Sequence, residues 1–455
     1  MAELDVTRLV RAARTNLLRR MARSPIAFVL SGGGSQGSFE VGVLRYLYGD
    51  LGLKPAILVG SSVGAIIAAK LAEGDDEETG RCAMDELEAI WRGLRSNRDM
   101  WLTEPWLDKL RSQATWASDL RGRAGEHGAA GSQARVVMRM LGEIVRNPPE
   151  ADGTIDALRA AMRAKSLLNM APVEQIVETQ LSPELMQASG LILRVGAVSL
   201  ESGQLRYIDQ YGQLYARDGQ ALDVEKVPFR DAVIASASIP VVFPPKAMGG
   251  EHYVDGGVRE ILPLALAFNE LGAGHIFAVV ASAPGVNRWD DAGDRGLFDI
   301  ARRVSADIAP DETLRKEIAP PRGWGRRVTV IVPEVDVHDA LTIDPELIAA
   351  SIDYGYMRAA DVLLDLSDEQ CEVTTEIART RMRLRATRGP IAGLLEGDIN
   401  AAEAEPGAEA RELETLARLL ETRLRSGAPL APGDCGLSAR RVPVERDAEV
   451  SAPRE

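Results

Sequence analysis

Residues 56–74 read "AILVGSSVGAIIAAKLAEG", and two structures compete for them. As one apolar run, 56–72 is marginal for a membrane-spanning helix, which takes about 20 predominantly apolar residues. It also carries two serines, two glycines and Lys70. As two pieces, the same residues make a buried strand, a sharp turn at Ser61 and Ser62, and a buried helix. The second reading is preferred because the pattern occurs once before, as "IAFVL" (26–30), "SGGGSQG" (31–37) and "SFEVGVLRYLYGD" (38–50). Two strand-turn-helix units in succession predict an α/β chain with a parallel sheet under covering helices, and no transmembrane segment.

Further strand signals follow at 191–200, 204–210, 275–282 and 326–335, so the sheet is expected to run to about residue 335. Between the second unit and those strands, about 75–165 reads as a helical insertion. "CAMDELEAIWRGL" there spaces Met84, Leu87, Ile90, Trp91 and Leu94 at helical intervals. Trp101, Trp106 and Trp116 are assigned to core packing ahead of a lipid-facing lid, and the Gly/Ala-rich 124–133 to a loop. Past 360 the chain turns helical and charged, with Leu413, Leu416, Leu419, Leu420 and Leu424 on one stripe. The expected organisation is 1–25 an N-terminal basic amphipathic helix, 26–335 the main domain, 336–430 a C-terminal helical extension and 431–455 a disordered tail.

The chain has 455 residues, enough for a large core, and a formal net charge of −14, which argues against a nucleic-acid partner. Three cysteines, Cys82, Cys371 and Cys435, lie too far apart for a disulfide framework or a zinc knuckle, and no secretory signal is read at the N-terminus. A cytoplasmic protein is expected, with no cofactor and no metal. Residues 1–24 place six arginines against Glu3 and Asp5. Such a helix either packs on the domain with its arginines solvated or lies peripherally on an anionic membrane surface.

"GSSVG" (60–64) is a G-x-S-x-G between an apolar strand and an apolar helix, the context a nucleophile elbow requires. Ser62 would project at the top of the sheet, with Gly60 and Gly64 leaving room for the tight turn. A nucleophilic serine needs a base and an anion hole. Gly32, Gly33 and Gly34 allow close backbone approach, so exposed N–H groups there and at the following helix start could hold an oxyanion. The spacing Gly32-x-Gly34-x-x-Gly37 also matches a dinucleotide fingerprint, but the acidic residue expected at the end of the second strand is missing, since that strand ends in Gly60-Ser61-Ser62. Of the histidines, His127, His275 and His338 have no context beyond that of surface or core residues. "HYVDGGV" (252–258) reads as a strand end turning sharply with the Asp255 carboxylate exposed, or as a plain β-turn.

Taken together, "GGGSQG", "GSSVG" and "DGG", in that order, resemble the motifs of the patatin-like phospholipases, bacterial type, with "SLLNMAPVEQIV" (166–177) and 231–267 also similar. The resemblance covers roughly residues 26–335. It implies a three-layer patatin fold with a mainly parallel central sheet and helices on both faces. It also implies a serine acyl hydrolase that cleaves fatty-acyl esters of phospholipids or lysophospholipids on a Ser-Asp dyad without histidine. Carried over residue by residue, the nucleophile is Ser62 and the base Asp255. The oxyanion hole is Gly32, Gly33, Gly34 and Gly37, and the motif-flanking glycines are Gly60, Gly64, Gly256 and Gly257. The family often has Arg or Lys where this chain has Gln36, which implies the loss of a cationic contact to an anionic head group. The alternatives are a catalytically quiet lipid-binding or scaffold protein on the same fold, and an acyltransferase using the same dyad.

Overall fold

Alternate side chains of a strand leave on opposite faces, so a strand buried along its whole length needs a cover on each side. The central sheet meets that condition. Its strands are β1 (Ile26–Leu30), β2 (Ile57–Ser61), β3 (Ile192–Ser199), β4 (Leu205–Ile208), β5 (Leu214–Tyr215), β6 (Lys246–Met248), β7 (Glu251–Asp255), β8 (His275–Val279) and β9 (Val328–Ile331). Phe28, Leu30, Leu58, Phe277 and Val279 join one apolar cluster, while Ala27, Val29, Ile57, Val59, Ile276 and Ala278 join a second across the sheet. The structure, a computed structural model, describes residue 15 and residues 24–106, 164–286, 288–289, 292–294, 300, 303–319, 323–324, 327–389, 391–392, 398–399 and 407–434. The expected N-terminal helix up to residue 23 apart from residue 15, Trp116, the 124–133 loop, His127, most of the 75–165 insertion and the tail from Cys435 onward lie outside the described residues.

The strand order is β9-β8-β1-β2-β3-β4-β5, parallel from β9 through β3. The far edge and the β6–β7 hairpin are antiparallel. The three-layer, mainly parallel α/β architecture expected from sequence is therefore the one observed. The stretch at 56–72 divides as β2 followed by a nine-residue helix, and no described helix is long and apolar enough to cross a membrane.

The described helices are α1 (Gly37–Arg45), α2 (Val63–Leu71), α3 (Glu77–Gly93), α4 (Ala171–Gln180), α5 (Pro183–Ala188), α6 (Phe229–Ala237), α7 (Ala309–Ile318), α8 (Pro345–Leu363), α9 (Asp368–Thr387) and α10 (Ala408–Arg425). Helices α1, α2, α3 and α8 contribute to the first apolar cluster, and α7 with the 262–267 segment to the second. Helix α8, from the segment read as an extension, lies directly on α1. A Cβ on Gly42 would sit 1.8 Å from the Ile352 carbonyl oxygen, and one on Gly355 would sit 2.0 Å from that of Phe39. Only glycine permits backbones to approach this closely. Trp91 and Trp101 are buried in the core, and Trp106 donates its indole N–H to the Ser166 carbonyl. On α10, Leu416 and Leu420 are buried but Leu413 is exposed, so the leucine stripe is narrower than its spacing suggests.

Helices α8, α9 and α10 are pinned together by Arg423, 1% exposed. Its guanidinium donates to Asp361 Oδ1 at 2.7 Å, to the Met357 carbonyl at 3.0 Å, to the Pro429 carbonyl at 2.8 Å and to the Thr374 hydroxyl. Removing one member of a buried pair strands the other's charge, which costs about 3–5 kcal/mol. Arg423→Met is expected to lower unfolding stability by that amount, read as a shift of the urea midpoint.

Candidate active site

Strand β2 ends at Ser61 and helix α2 begins at Val63, which leaves Ser62 alone in the turn with φ 55° and ψ −130°. A non-glycine residue in such a conformation costs about 1–3 kcal/mol and persists only where its surroundings enforce it. Here the enforcement is visible. A Cβ on Gly60 would meet the Gly64 carbonyl oxygen at 2.2 Å, and one on Gly64 would meet that of Ser31 at 2.3 Å. The Gly64 N–H donates to that Ser31 oxygen at 3.1 Å. The Ser62 N–H donates to Ser236 Oγ, also at 3.1 Å. The hydroxyl thus stands at the N-terminus of α2, and Ser62 is only 5% exposed.

Asp255 reaches Ser62 through the register of one strand. Along one edge of β3, Gly196 pairs with Ser61 of β2, and the next residue, Ala197, pairs with Asp255 of β7. The other edge of β3 is occupied by β4, so β2 and β7 meet end to end. Residues 62 and 255 become neighbours although 193 positions separate them. Gly256 is required at this junction, since a Cβ there would lie 2.5 Å from the Gly196 carbonyl oxygen and 2.7 Å from Ser61 Oγ. The Asp255 carboxylate accepts the Gly257 N–H at 2.7 Å and a hydrogen bond from the Ser62 hydroxyl. Contrary to the exposed carboxylate expected from the turn signal, Asp255 is buried, 5% exposed, where β7 pairs with β3 on one side and is held by the Ser238 carbonyl on the other. Burial raises its pKa to about 6, the two hydrogen bonds opposing the shift.

The glycine loop lies over the serine. A Cβ on Gly32 would come within 2.7 Å of Ser62 Cβ, and one on Gly33 within 2.7 Å of Ala281 Cβ. Gly34 has φ 56°, and a Cβ there would strike the Ala340 carbonyl oxygen at 2.2 Å. The N–H groups of these three glycines find no acceptor among the described residues. Gly37 differs from the expectation. Its N–H donates to the Gly34 and Ser35 carbonyls inside the turn, so it cannot serve an oxyanion, and its lack of a side chain makes room for Val63 and Trp91. The expectation that Gly32 contacts an oxyanion predicts that Gly32→Ala lowers kcat/KM on esters by about 10²-fold or more.

A segment far along the chain underlies this loop. Ser35 donates its N–H to the Ala340 carbonyl and its hydroxyl to that of Asp339, while Ser38 Oγ lies 3.1 Å from His338 Nε2. Gln36 is turned inward, donating to the His338 carbonyl at 3.1 Å and hydrogen-bonding the Asp336 carboxyl. Position 36 thus fastens the loop from behind. His338 is buried against the two serines, and His275 is a strand residue bonded to Thr329 with its pKa lowered to about 4 by burial. No described histidine touches Ser62 or Asp255. Two residues that the sequence reading did not single out hold the pair from one side: Ser236 through the Ser62 N–H, and Ser238, whose carbonyl accepts the Asp255 N–H at 2.9 Å. The only signal for them was the small-residue run "ASASIP" ending α6.

The chain matches the family model described as patatin-like phospholipase over residues 28–268. No curated protein matches it. Among solved structures it is similar to VipD from Legionella pneumophila, at 14% identity and a TM-score of 0.34, with 88% of this chain and 81% of that chain covered. It is also similar to human GIVD cytosolic phospholipase A2, at 12% identity and a TM-score of 0.31, with 94% of this chain but 64% of that chain covered. A third is ExoU in its complex with SpcU from the type III secretion system of Pseudomonas aeruginosa, at 16% identity and a TM-score of 0.25, with 89% and 68% covered.

Proposed function

The chain belongs to the patatin-like phospholipase family of lipid acyl hydrolases, and from that membership we propose that it cleaves fatty-acyl esters of phospholipids or lysophospholipids with Ser62 as nucleophile and Asp255 as its base. One observation carries the assignment: a serine in a strained strand-to-helix turn shares a hydrogen bond with a buried carboxylate whose pKa is raised to about 6. A carboxylate in that range accepts a proton near neutral pH far better than an ordinary aspartate.

In the proposed reaction, Asp255 takes the proton from Ser62 as the hydroxyl oxygen attacks the ester carbonyl. The negative charge that develops on the carbonyl oxygen is met by the N–H groups of Gly32, Gly33 and Gly34, and by the N-terminus of α2. When the intermediate collapses, the alcohol leaves with the proton from Asp255. Water, activated by the same carboxylate, then attacks the acyl-serine and releases the fatty acid. The expected result with mixed micelles of phosphatidylcholine labelled in either medium or long acyl chains, and with the matching lysophosphatidylcholines in parallel, is release of labelled fatty acid by the purified protein. Labelled acyl groups left wholly on the lipid in both assays would remove phospholipid esters as the substrate class.

A further inference from the structure

An apolar cleft of about 500 Å³, counting its open mouth, runs along α2 between α3 and α4. Its near end is Val63, the residue after the proposed nucleophile, beside Trp91 and Val173. Helix α4, which supplies the Val173 wall, is preceded by Met170, whose sulfur lies 3.8 Å from Ser238 Oγ; Ser238 in turn holds the Asp255 backbone. Walls of Ile66, Leu87 and Val177 follow, and the far end is closed by Lys70 and Gln180.

That far end is ionic. The Lys70 ammonium, 4% exposed, donates to Glu73 Oε2 at 2.7 Å, to Glu86 Oε2 at 2.6 Å and to the Gln180 carbonyl at 3.0 Å. An ammonium has three protons, and all three are engaged. Glu73 is fixed as well, accepting the Ser182 N–H at 2.7 Å. Extending an apolar chain past this point would desolvate ions already satisfied by one another, which is costly.

We propose that this cleft holds the acyl chain of the substrate and that the Lys70–Glu73–Glu86 cluster sets its maximum length. The proposal rests on Ser62 being the acylated residue. Eight residues of helix separate Ser62 from Lys70, about 12 Å at the helical rise. An extended chain advances about 1.2 Å per bond, so the cleft takes about ten carbons. Medium-chain acyl groups, rather than the long chains of most membrane lipids, are the substrate class the cleft gauges.

The test compares p-nitrophenyl esters from butanoyl to hexadecanoyl, with Ser62→Ala as the blank. Ser62-dependent kcat/KM is expected to rise by up to about fourfold per added carbon as each methylene is buried, then to fall beyond about ten carbons. Ile66→Phe, which fills the cleft about one turn from the serine, is expected to cut the decanoyl-to-butanoyl ratio of kcat/KM at least tenfold. Lys70→Met with Glu73→Gln, a pair that removes both buried charges and leaves Glu86, whose side chain is 62% exposed, to water, is expected to move the optimum to longer chains by two carbons or more. Ser62-dependent turnover that rises steadily to hexadecanoyl, or a ratio unchanged in Ile66→Phe, overturns the length gauge. If no ester is turned over through Ser62, calorimetric binding to the same protein decides. Decanoate bound at least tenfold tighter than hexadecanoate keeps the cleft and removes the nucleophile, whereas equal affinities remove the cleft.

Discussion

Ser62→Ala is expected to lower ester hydrolysis by on the order of 10⁴-fold or more, because loss of the nucleophile leaves only the contribution of the anion site and substrate binding. The fold should survive, since the Ser62 N–H bond to Ser236 and the clamps on Gly60 and Gly64 are independent of the hydroxyl. A fluorophosphonate probe gives the direct measurement: wild type is expected to label stoichiometrically and Ser62→Ala not at all. Labelling that persisted in the mutant would place the nucleophile elsewhere.

Asp255→Asn is expected to abolish activity to a similar degree and to make the protein more stable at the same time. The carboxylate is held where its charged form is disfavoured, with a folded pKa of about 6 against 3.8 in the unfolded chain. Below 3.8 both states are protonated and the site costs the fold nothing. Between 3.8 and 6 the native state binds more protons than the unfolded one, so stability falls as pH rises. Above 6 the whole penalty is present, about 3 kcal/mol for a shift of roughly two units. Asparagine keeps an acceptor for the Gly257 N–H without the charge. Thermal denaturation is expected to give nearly equal midpoints for wild type and mutant near pH 4 and a mutant several degrees more stable at pH 8. An isoelectronic replacement that lost activity without gaining stability at high pH would show that the buried charge is not the one described. For the wild type, the base role requires the ionised form, so kcat/KM is expected to fall about tenfold per pH unit below 6.

The two predictions have a common origin. Stability is given up twice within the same few residues, in the backbone of Ser62 and in the buried charge of Asp255, and in both cases the surrounding chain supplies the restraint. Apolar packing and the engagement of Gly42 with Gly355 make that restraint rigid. The Arg423 cluster then secures the outer helices far from the site.

Much of this was legible in the chain itself because it depends on neighbours in sequence. Short apolar runs identified six sheet strands to within a few residues, and the glycine pattern marked the two turns that carry the loop and the serine. The short strands β5 and β6 gave no such signal, being two and three residues long. What sequence could not reach depends on partners hundreds of positions apart. The meeting of Ser62 with Asp255 follows from which residues of β3 face β2 and β7, a register set only when the sheet assembles. The inward turn of Gln36 depends on the 336–340 segment lying under the glycine loop, and the engaged N–H of Gly37 on the tight turn that precedes α1. Lys70 stood in the sequence as the one charge in the apolar run 56–72, and its place at the bottom of a cleft was decided by α3 and α4 closing around it. Local periodicity determined the elements; burial, register and the pairing of distant polar groups, which exist only in the packed molecule, decided what those elements bring together.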